Sequence, residues 1–189
     1  MINFLYLFLI GMLLRSMYRI SNMLSELYKE VRGMDSLIAL ANSENVDIKA
    51  KATIKLNNLL EDQKILPIKI PEILSIFLAT INDVNADVKH NALRGVIVLI
   101  DKYKLLEDQI KVILEFFMVN SSNTNVGIRN AALFGVNLLI DKELLSPVNV
   151  EKVLELFVAG VNIADVDIRK NALSGISKLI EKDKLSEKK

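Results

Sequence analysis

His90 is the only histidine among 189 residues, and the chain contains no cysteine. An imidazole can shuttle a proton or ligate a metal near neutral pH, but either task needs partner groups. Without cysteine there is no thiolate nucleophile, no thiolate metal site and no disulfide. Beyond that one imidazole no Ser-His-Asp set can be assembled, and no Gly-rich phosphate loop follows a strand pattern. The carboxylate pairs Glu61–Asp62 and Glu107–Asp108 fall in polar joints. An acid–base couple needs an apolar pocket that pushes two pKa values apart, and these joints provide none. His90 reads as a solvated residue on an outward helix arc. The sequence is therefore expected to hold no catalytic residue, no metal and no cofactor, and not to be an enzyme.

The elements that carry these residues recur. At an interval of 40 residues the chain writes NVDIKAKATIKLNNLL from Asn45, NADVKHNALRGVIVLI from Asn85, NVGIRNAALFGVNLLI from Asn125 and DVDIRKNALSGISKLI from Asp165. Fixed spacing without insertions marks a repeat architecture. Counted from Ile48, the apolar offsets within a unit are 0, 4, 5, 8, 11 and 12. At 100° per residue they fall in one arc of roughly 140°, the signature of an amphipathic helix with a broad buried face. The leading Asn or Asp is a good N-cap, and Asp47, Asp87 and Asp167 stand in the first turn, where the helix dipole favours an acid. This second helix is expected near residues 46–61, recurring every 40.

Shorter apolar segments precede each copy, at 34–42, 74–82, 114–122 and 154–162. Pro71 and Pro147 stand near the start of two of them, where a missing amide costs least. Two helices per unit make an antiparallel hairpin, which must stack on its neighbours because a lone hairpin leaves half its apolar surface wet. Gly95, Gly135 and Gly175 form one column, broken by Lys55 in the first unit. A glycine inside a helix costs about 1 kcal/mol against alanine, so its recurrence predicts a close helix approach.

The phrase carrying Asp83, Val88, Lys89, Ala92 and Leu93, echoed by IRNAAL and IRKNAL, resembles the HEAT repeat, with the armadillo repeat a close relative. The likeness runs over about residues 30–185. It implies an all-α, right-handed α-solenoid of four two-helix HEAT-like repeats, with units near 30–65, 70–105, 110–145 and 150–185. It also implies an inter-repeat ladder, in which Lys49, Lys89, Arg129 and Arg169 meet Asp47, Asp87 and Asp167. Asp83 has Ser43, Asn123 and Ile163 as counterparts, and Gly127 interrupts the other acidic column, so the ladder is expected to be incomplete.

Offsets 2, 6, 9 and 10 of the second helix point away from the apolar arc. In the second and third units they place Ile97, Val98, Phe134 and Leu138 among His90, Arg94, Asn130 and Asn137, with Asn91 at the adjoining offset 3. An apolar centre with a polar rim is the composition of a protein-binding strip. The leading function is thus a non-catalytic scaffold or adaptor that binds another protein. The competing class is a regulatory or positioning subunit of an enzyme complex. A nucleic-acid binder is disfavoured, since 24 basic and 23 acidic residues leave a net charge of +1 and the aligned cations are assigned to the ladder.

Residues 1–20 stand outside the repeat as an apolar N-terminal helix, and 21–189 form the repeat domain. The run 2–14 is nearly all apolar but too short to cross a bilayer, which needs about 20 residues. Two roles are expected for it: a membrane anchor through residues 2–20, or a cap on the first repeat. In the anchored case Arg15 and Arg19 place the repeats on the cytoplasmic side. A cytoplasmic chain, membrane-associated in the anchored case, is the expectation.

Overall fold

The computed structural model describes the backbone of residues 2–81, 83 and 85–186, and side chains for 10–81, 83, 85 and 87–182. Among the described residues there are eight α-helices and no strand. They are α1 (Ile2–Ala41), α2 (Val46–Glu61), α3 (Ile70–Thr80), α4 (Ala86–Lys102), α5 (Glu107–Asn120), α6 (Val126–Asp141), α7 (Val150–Val161) and α8 (Val166–Ser186). The even-numbered helices are the expected second helices, and each opens on its expected cap. Asn45, Asn85 and Asn125 accept from the amides of Ile48, Val88 and Ile128 at 3.1, 3.0 and 3.2 Å, and Asp165 accepts from Ile168 at 3.0 Å. One local side-chain bond thus sets the start of all four.

The second helices pack on one another in series, α2 on α4, α4 on α6 and α6 on α8, and each also packs on the first helix of its own unit. Contacts between first helices are sparse, at α1–α3 and α3–α5. Closer spacing in one layer than in the other bends the stack, so the even-numbered helices line its inner side.

Within each of the last three units one knob sets the distance between the two layers. Phe77, Phe117 and Phe157, all fully buried, press on the Cα atoms of Gly95, Gly135 and Gly175. A Cβ at any of those glycines would lie far inside van der Waals contact with the ring. The first unit solves the same position differently: half-buried Leu37 replaces the phenylalanine, and Lys55, exposed, replaces the glycine.

Burial fades at the ends of the stack. Val88 and Ile168 are fully buried, whereas Ile48 in the first unit is 40% exposed and Ile180 in the last 49%. Both were expected in the core, but terminal units have a neighbouring unit on one side only.

Alternate units share their joints. Gln63 and Glu143 follow α2 and α6 with φ of 54° and 59°, and the next amides, of Lys64 and Leu144, reach back to the carbonyls of Leu59 and Leu139 at 2.8 and 2.9 Å. This is a Schellman ending built without glycine. A 3₁₀ turn follows in each case, at Pro67–Lys69 and Pro147–Asn149. After α4 the chain instead leaves extended at Tyr103, whose hydroxyl donates to the Leu60 carbonyl at 3.3 Å, and α5 starts with the Leu106 amide donating to Gln109 Oε1 at 2.8 Å.

The chain draws no break at residue 20. Helix α1 runs on into the segment expected as the first unit's own first helix, and Met34, Ile38 and Ala41 near its end are buried against the repeats. Residues 10–30 stay exposed rather than lying on the first unit. Among the described residues no helix is long and apolar enough to cross a membrane.

Candidate protein-binding face

The inner side of the stack is built from the outward offsets of α2, α4, α6 and α8, but not all of these offsets reach solvent. At offset 9, Asn57 and Asn137 are 1% and 3% exposed. Their Nδ2 groups donate to the carbonyls of Asn91 and Asn171 on the next helix, both at 2.8 Å. Their Oδ1 atoms are buried without a hydrogen-bond donor. The wheel arc placed Asn137 on the outward side; the neighbouring second helix comes close enough to cover it, so it clamps two helices together instead. Asn171 adds a second link, donating to Asn130 Oδ1 at 2.6 Å.

The other residues of the expected strip divide in two. Ile97, Val98 and Leu138 are half-buried and packed against the core, and Asn91 and Asn130 are half-buried in the links just described. His90, Arg94 and Phe134 are exposed. Phe134, on α6, is 47% exposed, and Ile54, at the same offset on α2, is 45% exposed. Arg94 holds that offset on α4 and is tied by Nε to Glu61 Oε1 at 3.1 Å. The open part of the face therefore runs along offset 6, read across consecutive second helices as Ile54, Arg94, Phe134 and Ser174, with exposed His90 and Lys170 beside it at offset 2.

The expected ladder takes another form. Lys49 crosses to the next unit and pairs with Asp83 at 2.7 Å, and the Asn85 amide also donates to Asp83 at 2.9 Å. The lysine's hydrogen bond, then the amide's, holds the Asp83 carboxyl below the ordinary carboxylate value. Lys89 contributes only longer-range attraction to the same acid. Arg129 and Arg169, whose units carry Asn123 and Ile163 in place of Asp83, turn back on their own joints. Arg129 Nη1 donates to the carbonyls of Asn123 and Thr124 at 2.6 and 2.9 Å, and Arg169 Nη1 to that of Ile163 at 3.0 Å. Asp47, Asp87 and Asp167 sit in the first turns of their helices, exposed, and form none of these rungs.

A second set of rungs, absent from the expected ladder, ties an acid at the far end of each of α2, α4 and α6 to a base on the following even helix or just after it. Glu61 takes Arg94, Asp101 takes Lys142 at 2.8 Å, and Asp141 takes Lys178 at 2.6 Å, each acid from one unit and each base from the next. The hydrogen bond from Lys142 lowers the Asp101 pKa. The signal was in plain sight: Glu61, Asp101, Asp141 and Glu181 form an unbroken acidic column at the 40-residue interval.

Among the described residues no three His, Asp or Glu side chains gather where they could hold a metal.

Solved structures of similar shape include designed repeat proteins. A designed armadillo repeat protein in complex with peptide (KR)4 matches with a TM-score of 0.61 and 14% identity, over 76% of this chain and 62% of that one. Computationally designed armadillo repeat proteins for modular peptide recognition match with 0.57 and 15%, over 75% and 62%. This chain thus spans about three fifths of the length of those it matches. No protein-family model matches the sequence, and no curated protein does. The fold is that of an armadillo- and HEAT-like helical solenoid.

Proposed function

We propose that this chain is a non-catalytic scaffold that holds an extended segment of another protein across the inner sides of α2, α4 and α6. The observation that carries the reading is Phe134, a half-exposed aromatic on the inner layer, at the offset where α2 exposes Ile54. Large apolar side chains left open in a concave setting are characteristic anchors of recognition. The charges nearby narrow the partner's chemistry. Offsets 2 and 6 carry His90, Arg94 and Lys170 and no acid, and Arg94 is paired with Glu61 of α2, so the fitting segment has an apolar anchor flanked by acidic residues that compete with Glu61 for Arg94. The designed neighbour that holds a basic peptide is a precedent for a solenoid of this shape gripping an extended segment, with the opposite charge.

Selection of random displayed peptides on the purified chain tests this. Binders should be rich in acidic residues around an apolar one, should slow hydrogen exchange in α4 and α6, and should weaken at least about tenfold with Phe134→Ser. Binders indifferent to Phe134→Ser, or protecting only other helices, would refute the reading. A cytoplasmic setting belongs to the same proposal and is checked by imaging a tagged chain. Membrane attachment through residues 2–20 is a separate matter, decided by sedimentation with vesicles.

A further inference from the structure

Helix α1 carries a seam that its own chain covers only at one end. From Leu13 the apolar residues Met17, Ile20, Leu24, Leu27, Val31, Met34, Ile38 and Ala41 follow at strictly alternating steps of four and three. The last three are buried against the repeats, while Leu13, Met17, Ile20, Leu24 and Leu27 are 45–63% exposed on a helix that runs through both parts without a break. We infer that this free stretch, residues 10–31, is a coiled-coil seam that pairs with the same stretch of a second copy of the chain.

Four observations select that occupant. A 3.5-residue spacing kept over three heptads is what a helical partner demands; a lipid surface asks only for a broad apolar side. The seam is continuous with a helix–helix contact the chain already makes, through Met34, Ile38 and Ala41. Its flanks carry almost no charge: one side holds Leu14, Ser21 and Tyr28, the other Ser16, Met23 and Glu30, and Arg15, Asn22 and Lys29 face directly away. Coiled coils that choose a different partner encode the choice in flanking charges, and this one encodes none, which suits pairing with itself. Finally, an isolated helix of about 20 residues is marginal in water, so an unpacked stretch with this many bare apolar residues requires a partner to stay helical. Two copies joined this way would carry two inner faces, whatever those faces bind.

The test uses the full chain in detergent-free buffer, weighed by light scattering after gel filtration. The wild type should show twice the mass of one chain. Ile20→Glu with Leu24→Glu should weaken association at least about 100-fold and give a single chain. Asn22→Glu, on the opposite side, should leave the pair intact. Because residues 10–30 lie off the repeats, the thermal transition of the repeats should survive in all variants and exclude unfolding as the cause. A single-chain mass for the wild type overturns the inference, as does a double mass that persists with both seam glutamates. So does a wild type that floats with phosphatidylcholine–phosphatidylserine vesicles as a single chain, which would make the seam a membrane contact.

Discussion

The ring of Phe117 on α5 rests on the Cα of Gly135 on α6, and the same pairing recurs as Phe77 with Gly95 and Phe157 with Gly175. Neither residue can change alone. Gly135→Ala adds helix propensity worth about 1 kcal/mol, yet its methyl would enter the ring, and overpacking of that kind costs about 1–3 kcal/mol. The net expectation is a loss of stability, read as a lower urea midpoint. Adding Phe117→Leu, the residue type that Leu37 supplies in the first unit, should restore part of the loss, giving a coupling of about 0.5–2 kcal/mol in a double-mutant cycle. Strict additivity would contradict the knob-and-notch account.

Asn137 is a buried donor aimed at the Asn171 carbonyl. Asn137→Asp would set a carboxylate against that carbonyl, a loss of about 3 kcal/mol near pH 7. The introduced acid would have a folded pKa above its unfolded value of about 3.9. Below about pH 4 it is protonated in both states and can donate, so the penalty is small there; it grows as pH rises above 4 and levels off beyond the folded pKa. Thermal melts at several pH values follow this directly. A penalty independent of pH would be inconsistent with the clamp.

Gln63 closes α2 with a left-handed backbone that side chains tolerate poorly. Gln63→Gly should raise stability by about 0.5–1 kcal/mol, since relief of that strain outweighs the added freedom of the unfolded chain. Asn58→Gly, inside the helix, should instead lower it by about 0.3 kcal/mol.

Asp83 is held below its ordinary value of 3.8 by Lys49 and the Asn85 amide. With the folded pKa depressed, the contribution is complete well above 3.8 and is lost as pH falls below it, through the folded value. Asp83→Asn should therefore flatten the acid limb of the stability profile in that window. At neutral pH it should cost under about 1 kcal/mol, because Lys49 remains 21% exposed. High salt should shrink the difference further.

The period, the caps and the glycine notches were legible in the sequence because each is decided by residues within one unit. Asn45 caps its own helix, and Gly135 answers a phenylalanine 18 positions before it. Matters settled between units were harder to read. A helical wheel places Asn137 by angle alone, and only the spacing between α6 and α8 makes that angle an interior one. Lys49 found its acid in the joint of the next unit, at Asp83, and not in the first-turn column to which the family resemblance pointed. Phe134 and Arg94 do lie on the open side, while Val98, Ile97 and Leu138 are drawn half inward by the same curvature. In α1 the block 2–14 stands out by composition alone, whereas the alternating steps run through residues 10–31 and continue into the buried Met34, Ile38 and Ala41.

Asn57 and Asn137, Gln63 and Glu143, and Pro67 and Pro147 each lie 80 positions apart, twice the visible period. The smallest interchangeable piece of this molecule is therefore a pair of hairpins. Excising residues 58–137 would splice matching halves, leaving Asn57 to meet the carbonyl that Asn137 now holds. Cutting out 40 would fuse unlike joints. Length in such a chain is best added or removed in even steps, and a designer who respects that rhythm inherits both kinds of junction ready-made.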